Sequence, residues 1–150
     1  MKILLLHPES TQQPAAARLA ANIQQSFPEG HALAVPTGAD PSGADLILAV
    51  FSLKDGAFAP TVAAYRDLAG QRVAFIAILS GPVTFSRLTK TSWGVKKQFC
   101  GNEILGGYFS PTGADGINPD QSEVAKACIF ALRLSAEKSA PLTPPLTINY

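Results

Sequence analysis

The chain reads as an α/β protein, a three-layer, doubly wound parallel sheet of five strands, and three observations predict it. Short apolar runs recur at Ile3–Leu6, Ala32–Val35, Leu46–Phe51, Val73–Leu79 and Ile104–Phe109, separated by helical or turn-like segments. Several of the runs are continuous rather than alternating, which is the pattern of strands covered on both faces. Only 15% of the 150 residues are charged against 47% hydrophobic, a balance that suits a sheet held between helices. Right-handed crossovers then give the strand order 2-1-3-4-5.

The first strand lies in the run Lys2–Leu6, ended by His7 and Pro8. Pro14 suits a first helical turn, where a missing N–H costs nothing, and Ala16, Leu19, Ala20, Ile23 and Phe27 share one face of the helix it opens. Pro28-Glu29-Gly30 stops that helix before the second strand. Between the second and third strands, Pro36–Ala44 (PTGADPSGA) shows no helical period. Extended chain covers about 3.3 Å per residue, so this segment can return along a short strand unaided, and a crossover without a full helix is expected.

Pro60 opens a second helix with Val62, Tyr65 and Leu68 facing inward, closed by Gly70. A third runs from Ser86 to Phe99 with Leu88, Val95 and Phe99 on its inner face and Gly101 as terminator. Asp120 or Ser122 caps the last helix, with Glu123 in its first turn. Its inner face is read as Val124, Cys128, Ala131 and Leu132, and with Ile129 and Phe130 alongside the helix is expected to be well covered. Residues 1–138 then form one domain, followed by a proline-rich tail at 139–150, read either as an extended segment lying on the domain or as a PxxP-type ligand.

Charge and motifs exclude several functions. Twelve basic against eleven acidic side chains leave a net charge of +1, with no global field to draw nucleic acid or anionic lipid. No stretch has the roughly twenty apolar residues of a membrane span, and the opening apolar run is too short for a secretory signal, so a cytoplasmic protein is expected. Cys100 and Cys128 are too few for a disulfide scaffold and should lie on opposite faces of the sheet. There is no G-x-G-x-x-G, no Walker lysine loop, no acidic pair after the first strand and no set of metal-ligand spacings.

Any small-molecule site should sit where three loops converge at the carboxyl ends of strands one, three and four: His7–Gln13, Ser52–Ala59 and Ser80–Phe85. In binders of this architecture the first loop offers backbone N–H groups and hydroxyls to a phosphate at a helix N-terminus. Here Ser10, Thr11, Gln12 and Gln13 supply polar groups, no glycine is present, and Pro14 removes one donor. His7, close in sequence to Glu9 and Ser10, is read as a structural or polar-loop histidine, since no G-x-S-x-G elbow accompanies it; His31 should be solvated.

The stretches DLILAVFSLKDGAFAP (Asp45–Pro60), QRVAFIAILSGP (Gln71–Pro82) and GNEILGGYFSP (Gly101–Pro111) resemble the flavodoxin-like family, specifically its short bacterial flavodoxin-domain proteins. The resemblance covers most of residues 1–137, and the Gly-Asn-Glu-Ile-Leu-Gly segment is its most specific piece. It implies FMN as cofactor and electron transfer to or from a partner reductase. The phosphate would lie at Ser10, Thr11, Gln12 and Gln13, and the ring near Phe51, Ser52 and Phe58, with Phe58 and Phe85 able to sandwich it and Ser80 and Gly81 offering backbone groups. The family's Thr/Ser-x-Thr-Gly-x-Thr loop is degenerate here, lacking the glycine and the last hydroxyl. That departure leaves open a second reading, a flavin-free accessory subunit.

Arg87, Lys90, Lys96 and Lys97 form a basic cluster around Trp93, with no acid between Ser86 and Gly101. It reads either as an ordinary solvated face or as a docking patch for an acidic partner protein.

Overall fold

The five apolar runs become five strands in a computed structural model that describes residues 2–7, 14–36, 43–53, 69–81 and 84–136. In chain order the elements are β1 (Ile3–His7), α1 (Pro14–Gln25), β2 (Ala32–Pro36), β3 (Leu46–Leu53), β4 (Arg72–Leu79), α2 (Phe85–Gln98), β5 (Glu103–Pro111) and α3 (Gln121–Ala136). The strands form one sheet in the order β2-β1-β3-β4-β5, and every neighbouring pair is parallel. The expected helix between Pro60 and Gly70, the helix-free crossover and the C-terminal tail fall on positions 54–68, 37–42 and 137–150, outside the described residues.

Strand periodicity divides the core into two layers. Ile3, Leu5, Leu46, Leu48, Val50, Ala74, Ile76 and Ile78 face α1 and α3, whereas Leu4, Leu6, Ile47, Ala49, Phe51, Val73, Phe75 and Ala77 face the side that holds α2. Both sets are buried, which is why the strands read as unbroken apolar runs. Ala16, Leu19, Ala20 and Ile23 of α1 are buried as the helical period requires, with Phe27 just beyond the helix beneath them. Leu88, Val95 and Phe99 do the same on the α2 side.

The last helix departs from its predicted face. Ala127, Phe130, Ala131 and Leu134 form the buried side, and Val124 and Cys128 pack partly buried against it. Leu132, expected inward, is 39% exposed, and Ile129 is 50% exposed, so the helix is covered on one side only. Because apolar residues surround α3, its period alone allows more than one inner face; Phe130 against Tyr108, with ring centroids 5.9 Å apart, selects the one observed.

The Gly101–Gly106 segment serves the amino edge of the sheet. Gly101 takes φ 93 to end α2, and the Asn102 side chain accepts from the Gln71 N–H at 3.0 Å and donates to the Phe99 carbonyl at 3.1 Å. Glu103 N–H donates to the Gln71 carbonyl at 2.8 Å, so the turn is stitched to the start of β4. A register shift follows: Val73 stands beside Ile104 and Ala74 beside Gly106, with Leu105 the extra residue of a bulge. Among the described residues no helix is long and apolar enough to cross a membrane.

Candidate functional site

Parallel order brings the carboxyl ends of β1, β3 and β4 side by side, with β1 between β2 and β3. Register gives that edge its relief. Leu6 stands beside Ala49, so His7 is level with Val50, while β3 continues to Leu53 beside Leu79 of β4. The tips of β3 and β4 therefore rise about 10 Å above the end of β1, at 3.3 Å per residue, and leave a step between β1 and β3. This is the point where the strand order reverses, and in open α/β sheets crevices form there.

Arg87 holds the raised wall together. Thr84 caps α2, its hydroxyl accepting from the Arg87 N–H at 3.2 Å, and this fixes the first turn of the helix beside the strand ends. From there the Arg87 guanidinium donates to the Ser80 carbonyl at 2.7 Å and to the Leu53 carbonyl at 3.3 Å, tying the exits of β4 and β3 together. Arg87 is half-buried and turned toward the sheet, and so stands apart from the exposed lysines it was grouped with in the sequence. Its charge alone revealed a cation; only the fold shows the two carbonyls it clamps.

The sequence-selected residues separate by position. Phe85 is the first residue of α2 rather than part of a loop, and at 78% exposure its ring is free to meet a ligand instead of packing beneath a loop. Gly81 is exposed at φ 87, and a Cβ there would stand 3.3 Å from the Arg87 guanidinium. Ser52 and Ser80 are half-buried at the ends of β3 and β4. Phe51 does not reach the edge: it is 1% exposed and stacked on Phe75 at 6.1 Å within the α2-side core, so its ring is taken up by packing. Ser10, Thr11, Gln12, Gln13 and Phe58 lie outside the described residues.

Beyond β5 the rim is an ordered loop. The Asp115 carboxylate accepts from the Asn118 side chain and from the N–H groups of Asn118 and Ile117 at 2.8–2.9 Å, and these bonds, the Asn118 side chain first, pull its pKa down to about 2. Arg18 of α1 donates to the Asn118 side-chain oxygen at 2.7 Å and fastens the loop to the helix. The Ser110 hydroxyl, fully buried level with Ile78, has no hydrogen-bond partner among the described residues, and it lies on β5, away from the β1–β3 step.

Cys128 sits half-buried on α3 with its thiol toward the Asn22 carbonyl at 3.9 Å, and burial raises its pKa; Cys100 is exposed after α2, on the other side of the sheet. Among the described residues no group of three or more His, Cys, Asp or Glu side chains could hold a metal ion.

No protein-family model matches the chain, and comparison with curated proteins finds no match. Solved structures do match, over most of their length. An NADH:FMN oxidoreductase, solved in its apo form, superposes with a TM-score of 0.58 at 13% identity, covering 89% of each chain. A flavoprotein from Lactobacillus acidophilus in complex with FMN gives 0.56 at 15% identity, covering 83% of this chain and 97% of the other. The general stress protein 14 of Treponema denticola, also in complex with FMN, gives 0.54 at 12% identity over 93% of this chain and 100% of the other.

The fold is flavodoxin-like. Within a flavodoxin-like sheet of this order the β1–β3 step is the switch point; His7 ends β1 and Ser52 lies near the end of β3, while Ser80, Gly81, Phe85 and Arg87 follow at the exit of β4.

Proposed function

We propose that the chain binds FMN at the carboxyl edge of its sheet and passes electrons to or from a partner reductase. The observation that supports this most directly is Phe85, a large aromatic ring left 78% exposed beyond the carboxyl end of β4 in a flavodoxin-like sheet. The described residues fit the group. Phe85 offers a face for offset stacking on an isoalloxazine, and Gly81, in the left-handed region and without a side chain, lets backbone approach the ring edge. α1 starts at Pro14 with no acidic residue in its first turn, so the positive end of its dipole is uncancelled where a phosphate would lie, beside Ser10 and Thr11. Two of the solved neighbours are complexes with FMN.

Bound FMN would supply the electron chemistry. The chain's own task is to hold and shield it. Phe85 excludes water from one ring face, and Arg87 keeps the tips of β3 and β4 at a fixed separation so that Ser52 and Ser80 present a constant edge. Titrating protein into FMN should quench flavin fluorescence, and Phe85→Ala should weaken the effect by about tenfold, the loss of one stacked ring at roughly 1 kcal/mol or slightly more. A folded protein that leaves FMN emission unchanged at about 100 µM would overturn the proposal.

The glycine-free run Pro8–Pro14 favours one other reading, a flavin-free accessory protein that keeps the scaffold. Close backbone approach to a phosphate normally draws on glycine, and Pro14 offers no N–H. A null FMN titration with intact circular dichroism would select it.

A further inference from the structure

We propose that the outward face of α2 is a docking surface for an acidic protein partner, with Trp93 at its centre and Lys90, Lys96 and Lys97 around it. The inner side of the helix is spent on the sheet: Leu88, Thr91, Val95 and Phe99 are all at most 5% exposed. Opposite them Trp93 is 70% exposed. Lys90, Lys97 and Lys96 stand three residues before it and four and three after it, the spacings that place side chains next to one another on a helix. All three lysines are exposed, none has an ion-pair partner among the described residues, and no Asp or Glu occurs between Ser86 and Gly101. Lys96 and Lys97 also complement the negative end of the helix dipole, but Lys90 and Trp93 have no such local role.

A tryptophan left in water amid cations that have no ion-pair partner among the described residues has the composition of an interface centre: a large anchor, with charged groups that steer and orient a partner of opposite sign. The face carries charge of one sign only, so the complementary surface is acidic. An anionic bilayer is a poorer fit. Three lysines give only a weak pull toward such a surface, and α2 is locked by its inner face and cannot roll further apolar surface into lipid. Nucleic acid fits less well still, with three lysines, Arg87 turned inward and a net charge of +1. The patch also has a direction. Phe85 lies eight residues before Trp93, about 12 Å along the helix, so the patch extends toward the carboxyl end of β4. The surface stands whether or not flavin is bound there.

Trp93 is the chain's one tryptophan, and its fluorescence therefore reports on the patch directly. Poly-L-glutamate added at about 20 mM salt should give a saturable change in Trp93 emission, and at about 500 mM salt the apparent affinity should fall at least about tenfold. The Lys90→Glu/Lys97→Gln variant should lose the response while Lys126→Glu on α3 keeps it, with circular dichroism reporting that each is folded. If the double variant does not fold, Lys90→Gln alone should weaken the response measurably, and the salt series on the unaltered protein remains decisive. A response indifferent to salt or retained in the folded lysine variants overturns the proposal. So does a stronger response to vesicles of one part phosphatidylserine to four parts phosphatidylcholine, or to a duplex DNA oligonucleotide.

Discussion

At Gly107 a single methyl group would have nowhere to go. A Cβ built there lies 2.1–2.4 Å from the ring atoms of Phe75, and that ring cannot retreat, because Phe51 stacks on it at 6.1 Å and Phe109 meets it edge-on at 5.6 Å. Gly107→Ala should therefore cost on the order of 3 kcal/mol in urea unfolding, the range of overpacking in a core that cannot relax, and Phe75→Leu in the same chain should recover part of it. Arg87 is specific in a different way. Its planar fork reaches two carbonyls on two strands, and a lysine ammonium extended along the same path could satisfy one of them. Arg87→Lys should lower stability by about 1–2 kcal/mol, while Lys90→Gln, on the exposed face of the same helix, should fall within about 0.5 kcal/mol of the parent. Equal effects from the two substitutions would deny the clamp.

Among the elements, α3 shows what periodicity can and cannot decide. For α1 one apolar face stands against a polar one, and Ala16, Leu19, Ala20 and Ile23 are legible in the sequence alone. In α3 apolar residues run round the cylinder, so the inner face is chosen by partners on β5, which a single helix does not encode. Tyr108 is that partner: it packs on Phe130, and its hydroxyl donates to the Glu123 carboxylate at 2.5 Å in the first turn of α3. Burial, then the hydrogen bond and charge of Glu123, then the charge of Asp120, raise the Tyr108 pKa above its usual 10.0. The folded state thus keeps a proton that the unfolded chain releases, and the contribution is fully present below pH 10 and declines as pH rises above it. Urea midpoints measured from pH 8 to pH 11 should fall more steeply for the parent than for Tyr108→Phe. Parallel slopes would show that this pair does not couple β5 to α3.

At the scale of the whole molecule, sequence order carried more information than any motif. Five apolar runs with crossovers between them sufficed for β2-β1-β3-β4-β5, and that order alone places the β1–β3 step. The site itself was legible only in part. Phe85 and Gly81 follow β4 and are exposed at its carboxyl end, whereas Phe51 is turned to the core by strand alternation, and only register shows how far β3 continues beyond it. The Gly-Asn-Glu-Ile-Leu-Gly segment, the most specific part of the resemblance, serves the amino edge through Asn102 and so speaks for fold rather than chemistry. A ligand at the carboxyl edge would bridge the tips of β3 and β4 and the start of α1, and it would bind the folded chain alone. Mass action then fixes the outcome: FMN at one hundred times its Kd should add about 2.7 kcal/mol to unfolding, a shift of several degrees in Tm for a chain of this size. Phe85→Ala, altering an exposed ring, should leave the flavin-free Tm nearly unchanged while shrinking the FMN-dependent shift. A shift of the same size in parent and variant would place the flavin away from Phe85, and the carboxyl edge of β4 would lose its claim to the ring.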